Sequence, residues 1–436
     1  MRTDSERNML QEATAQVEQS DSHRLAAQIK NLLNAPWGYM DATSKIAAHQ
    51  ERLSLFLSGA EDDITPANLE IWPSLTCTAR CHSCPYIRNG ARRIADKTID
   101  HDYLMPIELW QRLAGEFSAA GGLSVTFTGG GEPTVNHDLV RFAAIARQFG
   151  LEWGLYTNGA SLTPAMIDEL LSHDPTFIRV SINSGSPAAH HALYRLGADA
   201  YGYIQTMVSH MLRRTRSGGP SIGLGYIMTH AAPSELTGIR DFCVDLAASS
   251  GRPVDYIAIR PALTYYDRSG IPVPVQPRAP DFGDIPNRSR EMLAETCERI
   301  GTKLQISDRA FEALANAREI SVCSATQWAT SSTERGDLYL LSEANGGTNR
   351  ELKQLCYGTL ADRMSFGDLW RSPHRRRLSQ EFSRGVRRPP AWHKLAELSL
   401  ALDAIRRSVG ILNPVTARQV SALLSTNPKP PHWKFI

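Results

Sequence analysis

The chain has 436 residues, 42% hydrophobic and 21% charged, with a formal net charge of +2. That balance suits a globular protein with one large domain or a few smaller ones, and it offers no global field toward nucleic acid polymers or membranes. No apolar run approaches the roughly 18 residues of a membrane span, and the polar start MRTDSERNMLQEATAQVEQ lacks the apolar core of a signal peptide. Residues 1–67 read as a helical N-terminal segment: SHRLAAQIKNLLN carries Leu25, Ile29, Leu32 and Leu33 at helical spacing, and SKIAAHQERLSLFLSG carries Ile46, Leu53, Leu55 and Phe56. From there short apolar or β-branched runs alternate with amphipathic helices. Strands are expected over 68–76, 123–129, 151–159, 177–184, 222–229 and 255–262. Most of these runs are too nonpolar for one-sided strands, which suits a parallel sheet covered by helices, and the crossovers are long enough for right-handed βαβ units. Six units fill about 195 residues, against about 250 for a complete eight-unit barrel. The expected fold class is therefore α/β, a partial (β/α)6 parallel barrel over 68–265. Residues 266–319 read as a Pro- and Gly-rich linker followed by a helix, REMLAETCERIG. A small C-terminal domain over 320–436 then holds a strand ending in SVCSA, a hairpin around GDLYLLSEANGG and a long helix, LAELSLALDAIRRSVG.

Chemistry concentrates in SLTCTARCHSCPY, just after the first expected strand. Cys77, Cys81 and Cys84 have the spacing Cys-x3-Cys-x2-Cys. Three thiolates from one loop fill three corners of a cubane iron–sulfur cluster and leave the fourth iron open. The competing reading is a structural zinc with His82 as fourth ligand. His82 is adjacent to Cys81, which makes both poor partners on one small ion, and no second Cys-x2-Cys exists. Seven cysteines, three of them clustered, argue for a reducing compartment, the cytoplasm, and against a disulfide framework.

The motifs, in their order along the chain, resemble the radical S-adenosylmethionine (radical SAM) superfamily over about residues 68–262. After the cysteine loop come FTGGGEPTVN behind the second strand, YTNG at the end of the third, RVSINSGSPAAHHALYR behind the fourth and IGLGYIMT at the fifth. The family usually has an aromatic residue just before the third cysteine, where this chain has Ser83. The resemblance implies a [4Fe–4S] cluster on Cys77, Cys81 and Cys84, with the amino and carboxylate groups of S-adenosylmethionine (SAM) on the open iron. An external one-electron reductant of flavodoxin or ferredoxin type then drives SAM cleavage to a 5′-deoxyadenosyl radical, which abstracts hydrogen from a substrate.

The resemblance also implies SAM-binding roles for Tyr86, Gly130, Gly131, Glu132, Asn158, Ser181, Asn183 and Arg195. The glycines permit close backbone approach to a ligand, and Glu132 matches the cationic amino group. Ser181 and Asn183 alternate on the fourth strand and so share a face. Arg195 suits the SAM carboxylate. The bland alternatives are a plain turn for GGGEP, a strand-ending turn for Asn158 and a surface arginine for Arg195. His190 and His191 read as helix-start structure, and Arg260 as substrate-facing or as half of a buried ion pair. No catalytic side chain is assigned.

Cys243 and Cys297 lie in amphipathic helices and read as small buried residues. The last 117 residues resemble the SPASM or twitch extension that carries auxiliary clusters in many radical SAM enzymes, in the hairpin, in CYGTLADRMSFGDLWRSPHRRRL and in the ending PPHWKFI. Leucines in LYLLSE replace a cysteine of that pattern, and no closing cysteine pair is present. Either the auxiliary cluster is lost, or it stays on Cys323 and Cys356 with an added ligand such as Cys297 or Cys243. Seven arginines between residues 371 and 388 form a solvated helix face or a phosphate site. The expected function is hydrogen abstraction from a small nucleoside or sugar substrate, phosphorylated or not, in natural-product (antibiotic) biosynthesis. The alternatives are a ribosomal-peptide maturase and, remotely, an iron–sulfur electron-transfer protein without turnover.

Overall fold

The structure, a computed structural model, describes residues 21–33, 42–81, 84, 86, 104–216, 218–228, 233–262, 264–266, 272–274, 287–315, 320–344, 352–390, 393–425 and 429–436. All six expected strands are present, five of them slightly shorter than read and the fifth starting one residue earlier: β1 (Asn68–Ile71), β2 (Ser124–Phe127), β3 (Glu152–Thr157), β4 (Phe177–Ser181), β5 (Ser221–Met228) and β6 (Tyr256–Pro261). Each pairs in parallel with the next, and helices cross between them.

The parallel run is longer than the sequence suggested. β9 (Lys303–Ile306) adds in parallel to β6 at one flank, and β10 (Ala329–Ser332) adds in parallel to β1 at the other. β11 (Asp337–Tyr339) and β12 (Cys356–Thr359) continue beyond β10 as antiparallel strands, so the expected hairpin belongs to the same sheet. A separate antiparallel pair, β7 (Thr264–Tyr266) and β8 (Pro272–Pro274), straddles the expected boundary between barrel and linker. The strand expected at SVCSA is not formed. Residues 320–325 are irregular, and the Cys323 N–H donates to Phe382 O at 2.9 Å, at the end of the helix Pro373–Ser383.

Strand alternation divides the sheet chemically. Val125, Phe127, Trp153, Leu155, Ile178 and Val180 face the helices. There Trp110 meets Phe127 edge-on, and Trp110 Nε1 donates to Phe142 O at 3.0 Å. The inner positions are polar: Asn68, Glu70, Ser124, Thr126, Tyr156, Arg179 and Ser181. Asn68 Oδ1 accepts from Ser124 Oγ and Thr126 Oγ1 at 3.1 and 3.2 Å. The nonpolar reading of these strands captured their outer face; the inner one is buried and polar.

Residues 429–436 close the barrel at the amino ends of the strands. Ser124 Oγ donates to Lys434 O at 2.7 Å, Lys45 Nζ to Phe435 O at 2.9 Å, and the Phe177 ring packs on His432 and Phe435 at 4.9 and 5.0 Å. The opposite end, where the cysteine loop leaves β1, is the end that carries chemistry in parallel barrels.

Candidate active site

The cysteine loop is fastened to two other loops by backbone bonds. Gly131 N–H donates to Ser74 O at 3.1 Å and Glu132 N–H to Thr76 O at 2.8 Å, while Arg80 N–H donates to Tyr194 O at 2.7 Å. A Cβ on Gly131 would stand 2.2 Å from Thr76 O, and one on Gly130 2.7 Å from both Leu75 and Trp72. These glycines are therefore required by loop-on-loop contact, whatever else approaches them. Tyr86 packs edge-on against Trp72 at 4.9 Å, just beneath that contact.

Glu132 is 2% exposed and fully engaged. Oε1 accepts from Thr134 N at 3.2 Å, Thr134 Oγ1 at 2.7 Å and Thr157 Oγ1 at 2.5 Å, and Oε2 accepts from Asn158 N at 2.7 Å. Burial pushes its carboxyl up, against the pull of those four bonds. Its first job is to lock the loops after β2 and β3 together. Asn158, fixed by that bond, points its Nδ2 at Thr78 Oγ1 at 3.2 Å and Cys77 Sγ at 3.8 Å.

Burial, then Glu132, Cys81 and Cys84 push the Cys77 thiol well above the ordinary range, which makes these groups mutual neighbours. Tyr194, 3% exposed, adjoins Cys81, Cys77 and Glu132. Its hydroxyl donates to Ser181 O at 2.7 Å and accepts from Asn183 Nδ2 at 2.7 Å. β4 ends at Ser181, so the expected alternation stops there. Asn183 has φ +48°, and its Oδ1 accepts from Ile227 N at 2.7 Å, which ties β4 to β5. Arg195 is exposed, in a left-handed conformation (φ 53°) at the end of the helix Pro187–Tyr194. His190 is buried and stacked on Tyr194 at 4.5 Å, with burial holding its pKa down to about 4, in keeping with a structural role.

The structure thus brings Cys77, Cys81, Cys84, Glu132, Asn158, Ser181 and Asn183 around one loop junction, with Tyr194 as the member that sequence reading missed. No local motif marks Tyr194, because its role arises from a chain crossing. Three cysteines close together, with no fourth cysteine beside them among the described residues, are the donor set of a cubane cluster with one open iron, although their side chains as they stand are not gathered around a metal position. His82, the fourth zinc ligand of the alternative reading, lies outside the described residues.

The other cysteines are dispersed. Cys323 is fully buried beside Ala325 and Ser399, with burial pushing its thiol up to about 12. Cys356 donates to Gly358 O at 2.9 Å beside Asp337 and Lys353, its thiol pushed up to about 11 by burial. The two share none of these neighbours. Cys243 and Cys297 adjoin each other in a different pair of helices. Among the described residues no group of three or more His, Cys, Asp or Glu side chains is arranged to hold a metal ion. Within the arginine run, Arg375 is buried, donates to Trp370 O at 2.5 Å and Asp62 O at 3.0 Å, and stacks on Trp370; Arg371, Arg377, Arg384 and Arg388 are exposed.

Residues 73–208 match the sequence profile of the radical SAM superfamily. The chain is 25% identical over 305 residues to dTDP-4-amino-4,6-dideoxy-D-glucose ammonia-lyase of Streptomyces venezuelae, across 65% of this chain and 59% of that protein. It is 30% identical over 132 residues to PqqA peptide cyclase of Ruegeria pomeroyi, across 29% of this chain and 32% of that one. The chain therefore spans less than two thirds of the length of these relatives. Its fold is similar to that of Streptococcus suis SuiB bound to S-adenosylmethionine, with a TM-score of 0.52 and 15% identity over 74% of this chain and 68% of SuiB. The profile match takes in the cysteine loop and strands β2 to β4 of the parallel barrel that presents it, so residues 73–208 are similar to the radical SAM superfamily, whose members use a [4Fe–4S] cluster and SAM.

Proposed function

We propose that this enzyme acts on a small nucleotide-linked sugar, from which it abstracts a hydrogen atom. The observation that carries this reading is the inner face of the barrel beneath the cysteine loop. It is lined by Glu70, Thr126, Tyr156, Arg179 and Ser181 and closed at its far end by residues 429–436. A polar and charged interior closed at one end suits a hydroxylated, anionic molecule. The similarity to a dTDP-sugar ammonia-lyase over 65% of this chain supports the same class.

When bound, the cluster and SAM supply the 5′-deoxyadenosyl radical. Cys77, Cys81 and Cys84 would hold the cluster. Glu132 keeps the glycine loop, Asn158 and the cysteine loop in one arrangement, and Tyr194 with Asn183 fixes the ends of β4 and β5 against them. An external one-electron donor of flavodoxin or ferredoxin type completes the system, in a reducing compartment where seven cysteines stay reduced. The C-terminal region, read as a SPASM or twitch-like extension, then serves as barrel wall and closure without a cluster of its own. Among the described residues no helix is long and apolar enough to cross a membrane.

A peptide substrate is the second reading, favoured by the 30% identity to PqqA peptide cyclase. Reduced, reconstituted protein incubated with SAM and either dTDP-4-amino-4,6-dideoxy-D-glucose or PqqA peptide separates the two. The sugar nucleotide should stimulate 5′-deoxyadenosine formation and be consumed; stimulation by the peptide alone would reverse the assignment.

A further inference from the structure

One group of polar atoms inside the barrel has no part in holding the cluster or SAM. Glu70, in the middle of β1, has a side chain only 8% exposed, and Lys394 donates from Nζ to Glu70 Oε1 at 2.5 Å. Lys394 lies just before the helix Ala396–Val409, far along the chain, and its backbone N–H is held by Glu343 Oε1 at 2.7 Å. Desolvation by the surrounding atoms is the largest influence on the ammonium, outweighed by Glu70, Tyr156 and Glu343 together, yet 31% of the side chain is exposed. The side chain is thus partly desolvated and still open to solvent. Tyr156 stands on β3 with the Arg179 guanidinium 3.6 Å over its ring. It is two residues before Asn158, so the group lies about 7 Å below the level of the cysteine loop.

An ammonium has three donors, a carboxylate two acceptor oxygens and a phenol one of each. Among the described residues Lys394 Nζ hydrogen-bonds only Glu70 Oε1, while Glu70 Oε2 and the Tyr156 hydroxyl hydrogen-bond nothing. Unspent donors therefore stand beside unspent acceptors. A phosphate, which only accepts, would be repelled by Glu70, and an apolar group would strand all of these atoms. A hydroxyl both donates and accepts, and so matches the set.

We propose that Lys394, Glu70 and Tyr156 form a subsite for the ring hydroxyls of the substrate. The inference rests on the sugar reading above and deepens it. It also gives the C-terminal region a direct part in specificity, since Lys394 comes from there. The competing role for the Glu70–Lys394 pair is purely structural, an anchor of that region on β1.

The test is equilibrium binding of dTDP-4-amino-4,6-dideoxy-D-glucose, with dTDP for comparison, to anaerobically reconstituted protein in the presence of SAM. Wild type should bind the sugar nucleotide more tightly than dTDP. Tyr156→Phe should weaken the sugar nucleotide about fivefold, and Lys394→Met at least about tenfold, the range for a neutral and a charge-assisted hydrogen bond; dTDP affinity should not change. Tyr156→Phe removes no hydrogen bond from the free protein, so its melting temperature should stay at the wild-type value and loss of folding cannot mimic the effect. An unchanged affinity in Tyr156→Phe, or a loss shared equally by dTDP, overturns the subsite and leaves the sugar reading standing. Wild type that binds the sugar nucleotide no more tightly than dTDP overturns both.

Discussion

Glu132 shows how much of the site is scaffold. Its carboxylate takes four hydrogen bonds from Thr134, Thr157 and Asn158 while almost wholly buried. Glu132→Gln turns one acceptor into a donor that faces other donors, a change that costs about 1–3 kcal/mol. Thermal melting should show that loss together with weaker iron loading. Gly131 is a stricter case, with Thr76 O 2.2 Å from where a Cβ would sit. Gly131→Ala should sharply reduce the iron bound on reconstitution, whereas Gly202→Ala, whose Cβ meets nothing within 4 Å, should bind iron as the wild type does. At this scale the clustering of the three cysteines was legible because their spacing is local in sequence. Tyr194, Tyr156 and Lys394 were not, because their surroundings come from distant segments. Strand parity alone would have placed Glu70, Tyr156 and Arg179 on the inner face.

At the scale of elements, the six strands of the barrel follow from runs such as LSVTFTG and FIRVSINS, whose outer residues bury under helices. The two flanking strands did not announce themselves. KLQI and ATSS are short and carry few apolar residues, and each forms because a neighbouring strand edge offers it a ladder. The closing segment is a packed element in its own right. Phe435 is 7% exposed against Phe177, so Phe435→Ala should cost about 3–5 kcal/mol, measurable by denaturant unfolding. Burial also holds the pKa of His432 down to about 3, and those of His49 and His393 likewise to about 3. Unfolded histidine takes up a proton near pH 6.5. Between about pH 6.5 and pH 3 the unfolded chain therefore binds more protons, and stability should fall as pH falls through that window. Above it these histidines add no pH dependence. Urea melts at pH 7.5 and pH 5.0 should show the lower midpoint at pH 5.0.

For the molecule as a whole, the C-terminal region is joined to the barrel through β10, the Glu70–Lys394 pair and the closing segment. The sequence made the hairpin and the last long helix visible, but not that the hairpin extends the barrel's own sheet, which depends on pairing between residues about 260 apart in the chain. Cys323 and Cys356 sit in separate surroundings, so reconstituted protein should hold about four iron atoms per chain, one cubane's worth, and Cys323→Ala with Cys356→Ala should leave that number unchanged.

The central claim is that Cys77, Cys81 and Cys84 hold the cluster that cleaves SAM. It is tested most directly by measuring 5′-deoxyadenosine and methionine formed from SAM by the anaerobically reconstituted, reduced protein. Wild type should form both, and the variant with all three cysteines changed to alanine should form neither. Cleavage persisting in that variant would contradict the account.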